Sequence, residues 1–157
     1  MKRFIPVALL SFLACVMTPL AHATRTVPMP VFKNEVIASA TGDDAAKRTH
    51  DAIVGAAAQN KWLVVSDNGD TLRLSITVRR KHKVLIDAHI RGNAVDIDYV
   101  SSVNMAYDKD ALSGRAIEQC DYLPATCPRQ SGEAEVIHPN YGVWINRLLS
   151  AARKAAN

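Results

Sequence analysis

Residues 71–78 read Thr-Leu-Arg-Leu-Ser-Ile-Thr-Val, and their alternation constrains this 157-residue chain more than any other feature. Leu72, Leu74, Ile76 and Val78 fall on one side; Thr71, Arg73, Ser75 and Thr77 fall on the other. A period of two belongs to a half-buried strand. Val84, Ile86, Ala88 and Ile90 repeat it against Leu85, Asp87, His89 and Arg91. Val95, Ile97 and Tyr99 repeat it against Asp96, Asp98 and Val100.

The intervening turns set the registers. Gly92-Asn93 as a two-residue loop pairs Ile90 with Val95, Ala88 with Ile97 and Ile86 with Tyr99. Arg80-Lys81-His82 as a three-residue loop pairs Val78 with Val84 and Ile76 with Ile86. Both registers put apolar residues on one shared face, and a one-residue slip would turn them all outward. Asn68-Gly69 is a hairpin signal that joins a first strand, Trp62 to Ser66. A strict two-residue turn there aims Leu63 and Val65 inward and Trp62 outward; a longer loop reverses this.

Two helices accompany the meander. Thr41-Gly42-Asp43-Asp44 has the shape of a capping box with two acids in the first turn. That helix should run to about Gln59 with an inner stripe of Ala46, His50, Ile53 and Ala57. His138-Pro139-Asn140 starts the last helix, with Pro139 at the first helical position and His138 or Asn140 as cap. Tyr141, Trp144, Ile145, Leu148, Leu149 and Ala152 recur at helical spacing. If Trp144 is central to the layer, Trp144→Ala should cost about 3–5 kcal/mol. One greasy sheet face and two amphipathic helices predict an α+β two-layer sandwich, an antiparallel meander of about four strands with both helices on one face.

The flanks read differently. Lys2 and Arg3 precede an apolar run from Phe4 to Val16, and Ala21-His22-Ala23 fits a small-x-small cleavage site. Residues 1–23 are therefore expected to be a signal peptide, leaving no membrane span once removed. Lipidation of Cys15 is the alternative, although Phe12 spoils the lipobox. Cleavage removes two cations and no acid, taking the net charge from +4 to +2, too little for a nucleic-acid footprint. Residues 24–40 read as an extended lead, with a short edge strand at Glu35 to Ser39. Residues 41–157 read as one domain, with an excursion at 108–135 pinned by a disulfide between Cys120 and Cys127. Such a bridge is worth roughly 2–3 kcal/mol; free thiols are the alternative, and the spacing is not that of a zinc knuckle.

Arg80, His82, Ile97-x-Tyr99, Ser102, Asn104, Tyr107 and Ile137-His138-x-Asn140-Tyr141-x-x-Trp144 resemble a family of small proteobacterial envelope proteins and lipoproteins. Trp62 fits as well. The likeness covers roughly residues 41–107 and 136–153, and His-x-Asn-Tyr-x-x-Trp is its most specific piece. The chain departs from the pattern in its poor lipobox and its longer excursion. The resemblance implies an α-plus-β fold and an envelope location, and carries no activity with it.

Two groups of residues have chemistry to offer. On the open sheet face the registers set Asp87 opposite Asp98 and His89 opposite Asp96, with Arg73 beside His89. Facing carboxylates need a cation, a shared proton or an arginine, so this is either a cation site or a solvated charge ladder. The second group, Arg80, His82, Asn104, Tyr107, His138 and Tyr141, would converge on one edge of the sheet as a binding surface, or serve as caps and packing. No Gly-x-Ser-x-Gly, His-Glu-x-x-His, P-loop or Gly-x-Gly-x-x-Gly occurs, and no cofactor is expected. The expectation is a periplasmic or secreted, non-catalytic envelope binding or accessory module. The alternative is a small metal-dependent or hydrolase-like enzyme using the open face.

Overall fold

The computed structural model describes residues 25–39, 42, 44–109 and 135–156. Residues 1–23 with Cys15, the cap residue Thr41, and Cys120 and Cys127 all lie outside the described residues. In chain order the elements are β1 (Val27–Pro28), β2 (Phe32–Val36), α1 (Ala45–Gln59), β3 (Trp62–Asp67), β4 (Thr71–Val78), β5 (His82–Arg91), β6 (Ala94–Val103), β7 (Val136–Ile137) and α2 (Asn140–Ala156). Five strands form an antiparallel sheet in the order β2-β6-β5-β4-β3, and β1 pairs with β7. Both helices lie on one face of the larger sheet, packed on each other, in the expected two-layer α+β arrangement.

The β5–β6 hairpin has the register set by Gly92-Asn93: Ile90 faces Val95, Ala88 faces Ile97 and Ile86 faces Tyr99. Gly92 has φ 60°, the conformation this turn needs. The β4–β5 register differs from expectation by two residues. Val78 pairs with His82, Ile76 with Val84 and Leu74 with Ile86. The loop is Arg79-Arg80-Lys81, so His82 opens β5 instead of closing the loop. A shift of two preserves every side chain's face, so the apolar layer survives it: Leu72, Leu74, Val84, Ile86 and Ala88 are fully buried.

β3 takes the reversed orientation. Asn68 N–H donates to Thr71 O (3.1 Å), which makes Gly69 and Asp70 the central pair of the turn. A bulge at Val65 then pairs Val64 with Leu74 and Trp62 with Ile76. Trp62 is thereby buried, whereas Leu63 and Val65 are 67% and 53% exposed. A bulge adds one residue to a strand, and one residue is what swaps the two faces.

The lead is more than a tether. β2 begins earlier than expected, at Phe32, and closes the β6 edge through Glu35–Val95 and Val36–Ala94 pairs. Phe32, Ile37 and Ala38 enter the core. Arg153 on α2 holds the strand, donating from Nε to Val36 O (2.9 Å) and from Nη2 to Glu35 Oε2 (2.5 Å).

Helix α1 ends at Gln59 as expected but begins differently. Asp44 is its N-cap and makes no side-chain cap hydrogen bond, and its first turn holds no acid. Its buried face is Ala45, Thr49, Ala52, Ile53, Ala56 and Ala57. Ala46 and His50 stand at the rim of that stripe instead of within it. The alanines let α1 lie close to α2, whose buried face is Tyr141, Ile145, Leu148, Leu149 and Ala152. Trp144 is half-buried against the core's edge, so its truncation should cost less than the 3–5 kcal/mol expected of a central tryptophan.

Candidate functional site

The open-face acids are all engaged by neighbours. Arg73 donates to Asp87 through Nε and Nη2, both at 2.7 Å, in a two-pronged pair. The expected neighbour of Arg73 was His89; the two-residue register shift puts Arg73 opposite Asp87 and Thr71 opposite His89. Asp96 accepts from Asn34 N–H (2.7 Å) and meets Arg91 Nη2 at 3.1 Å. Asp98 pairs with Lys33 and lies 3.4 Å from His89 Nε2. The guanidinium of Arg73 holds the Asp87 carboxyl below the usual range despite its partial burial. The Asn34 N–H does the same for Asp96, helped by Arg91, Lys33 and His89. The predicted pairs Asp87–Asp98 and His89–Asp96 do occur across the β5–β6 ladder. Among the described residues, no three His, Cys, Asp or Glu side chains gather as a metal site. Thr71 Oγ1, His89 Nδ1 at 3.0 Å and Asp98 beyond it form a hydroxyl–imidazole–carboxylate row along this face.

Of the second group, His82, Asn104 and His138 meet. His82 and His138 lie 56 positions apart in sequence, yet their ring centroids are 6.2 Å apart at one corner of the sheet. Several bonds build this corner. His82 Nδ1–H donates to Asn104 O (2.8 Å), and Asn104 Nδ2 donates to Lys81 O (2.7 Å). His138 N–H donates to Met105 O (2.7 Å), and His138 Nδ1 accepts from Asn140 N–H (3.1 Å) at the start of α2. Pro139 stands just ahead of the first helical residue, with His138 as the side-chain cap. Asn104 can take this role because its φ is 56°, a conformation asparagine tolerates better than most residues.

These bonds decide the tautomers. A carbonyl can only accept, so His82 carries a proton on Nδ1 and, when neutral, a lone pair on Nε2. A backbone N–H can only donate, so His138 keeps its lone pair on Nδ1 and its proton on Nε2. The two far nitrogens therefore offer one acceptor and one donor. A metal on His138 Nε2 would force a proton onto Nδ1, directly against Asn140 N–H, so this pair suits a hydrogen-bonding ligand better than a metal.

The tyrosines form the floor beside this corner. Tyr99 packs on Tyr107 at 4.5 Å and edge-on against Tyr141 at 5.9 Å, and Tyr141 also meets Phe32 at 6.4 Å. Burial pushes the phenols of Tyr141 and Tyr99 above their ordinary value, and Tyr107 is raised by burial and then by Glu135. Tyr141 is 1% exposed, so it supports the surface from beneath and offers nothing to a ligand. Arg80 is exposed at the adjoining hairpin tip. Asp108, which opens the predicted excursion, and Val136, the residue after it, are joined by hydrogen bonds of 3.1 and 2.9 Å next to the corner. Tyr99 and Met105 belong to this constellation and were not among the predicted site residues. Ile97-x-Tyr99 was legible as a motif, but the role of Met105 is a backbone carbonyl, which leaves no trace in residue type.

No family model matches the chain, and no match was found among curated proteins or solved structures.

Proposed function

We propose that this chain is an exported, non-catalytic envelope binding or accessory module, and that the His82–Asn104–His138 corner with Arg80 is its binding surface. One observation carries the reading: two histidines distant in sequence meet at 6.2 Å with their inner nitrogens committed to backbone groups and their outer nitrogens unbonded among the described residues. Export rests on the signal-like segment 1–23, with the periplasm or the medium as destination and lipidated Cys15 as the other route. Among the described residues no helix is long and apolar enough to cross a membrane. The resemblance to small envelope proteins points the same way through Ile137-His138-x-Asn140-Tyr141-x-x-Trp144.

The test is a photo-crosslinker at Arg80 in intact cells, with and without His82→Ala. Loss of the captured species in a variant that melts normally supports a binding role. Unfolding of that variant makes His82 architectural.

A second reading, hydrolase-like chemistry on the open face, is favoured by the Thr71–His89–Asp98 row. It requires that ester hydrolysis by the purified protein disappear in Thr71→Val, and equal hydrolysis in that variant would end it.

A further inference from the structure

The β4–β5 hairpin ends in Arg79-Arg80-Lys81-His82-Lys83, and the sequence holds no acidic residue between Asp70 and Asp87. Arg79, Arg80, Lys81 and Lys83 are all exposed. The two arginines occupy the left-handed region, with φ 52° and 59°. Lys81 N–H closes the turn on Val78 O at 3.2 Å. Glycine and asparagine are the residues that suit such a turn, because a Cβ there meets the neighbouring carbonyl. Two arginines in these places give up turn stability for charge at an exposed hairpin tip. Strain kept where charge is concentrated is a mark of function.

The tip is also held firmly. Asn104 Nδ2 grips Lys81 O from the β6 side, and His82 grips Asn104 in return. Lys83 pairs across the ladder with Val103, whose side chain is 54% exposed. Cations with an apolar side chain beside them suit the boundary between phosphate headgroups and acyl chains.

We propose that this hairpin tip is a docking finger for an anionic lipid surface, reading headgroup phosphates with Arg79, Arg80, Lys81 and Lys83 while Val103 meets the layer below. This rests on the reading of the adjoining corner as a binding surface, and names one thing that surface meets. Three of the charges lie on successive residues of a tight turn and Lys83 lies in β5 beyond it, so the four suit an extended array of phosphates better than a single one.

The experiment is cosedimentation of the protein, as isolated from cells expressing the full chain, with phosphatidylglycerol vesicles and with phosphatidylcholine vesicles. Binding to the first alone is expected, with release in about 0.5 M salt, where screening is complete within a few ångströms. Arg79→Gly/Arg80→Gly/Lys81→Gln should bind at least about tenfold more weakly. It should melt no lower than the parent, because glycine fits positive φ. Inorganic phosphate at matched concentration should not displace the protein, since an array outcompetes single ions. Equal binding to both vesicles, unchanged binding of the triple variant, or displacement by free phosphate overturns the inference. Failure to bind phosphatidylglycerol while the Arg80 crosslink persists overturns it and leaves the binding-module reading standing.

Discussion

The open face of the sheet and its His82–His138 corner satisfy their polar side chains in opposite ways. On the open face side chains mostly satisfy one another: Arg73 with Asp87, Arg91 with Asp96, Lys33 and His89 with Asp98, with Asn34 N–H as a backbone partner for Asp96. At the corner they satisfy the backbone: His82 to Asn104 O, Asn104 to Lys81 O, His138 to Asn140 N–H. Mutual pairing consumes the groups a ligand would use. Backbone pairing holds one end of an imidazole and, among the described residues, leaves its other nitrogen unbonded. The same residue types thus form a closed ladder in one place and an open surface in the other.

The sharpest way to break this contrast is to remove the floor of the corner. Tyr141→Ala should destabilise the protein by about 3–5 kcal/mol in chemical denaturation, because a fully buried aromatic leaves a cavity. A loss under 1 kcal/mol would mean the corner does not rest on the core. Gly142→Ala probes the same place more gently: a Cβ there would sit 3.3 Å from Pro30 Cγ, so the lead must give way or the melting temperature falls. His138→Ala removes the α2 cap and should cost about 1 kcal/mol, with His138→Asn recovering most of it. Arg73→Ala on the open face should lower the melting temperature by less than His138→Ala does, since solvent reaches the Arg73 side of the pair and screens it.

Acid should separate the two regions. Asp87 and Asp96 are depressed in the folded state, so their stabilisation is present above the unfolded carboxyl range and is lost as pH falls through their lower folded values. Arg73→Ala should flatten that acidic limb, whereas His138→Ala should leave it unchanged. His50 acts with the opposite sign. Its partial burial lowers its pKa, but Asp51 (3.2 Å) and Asp67 (3.0 Å) more than offset this and raise it. Its contribution is full below the unfolded histidine value and fades as pH rises through the folded one; His50→Gln should remove that neutral-pH slope. The smallest effect is expected from added calcium or zinc. With Asp87, Asp96 and Asp98 already paired, millimolar cation should not shift the melting temperature, and a clear upward shift would reopen the open face as a cation site.

The differences between expectation and structure have separate physical origins. The β5–β6 register was legible because Gly92-Asn93 is a tight turn whose position leaves no freedom. The β4–β5 register was not, because Arg79, Arg80, Lys81 and His82 are all plausible loop residues and a two-residue slide keeps the apolar face intact. That slide changed the partner of Arg73 from His89 to Asp87, and with it the chemistry of the open face. β3 needed a bulge at Val65 that no residue type announces. The rim positions of Ala46 and His50 reflect a stripe of small side chains too weakly apolar to define an angle.

Side-chain periodicity along the chain determined the four meander strands, their greasy face, the presence of both helices and hence the two-layer plan, because periods of two and 3.6 are local properties. Tertiary packing alone decided which acid meets which cation, how Phe32–Val36 joins the sheet, and that His82 and His138 meet. Those choices bring together residues far apart in sequence, and they are selected by fit against the whole layer, which no local pattern encodes.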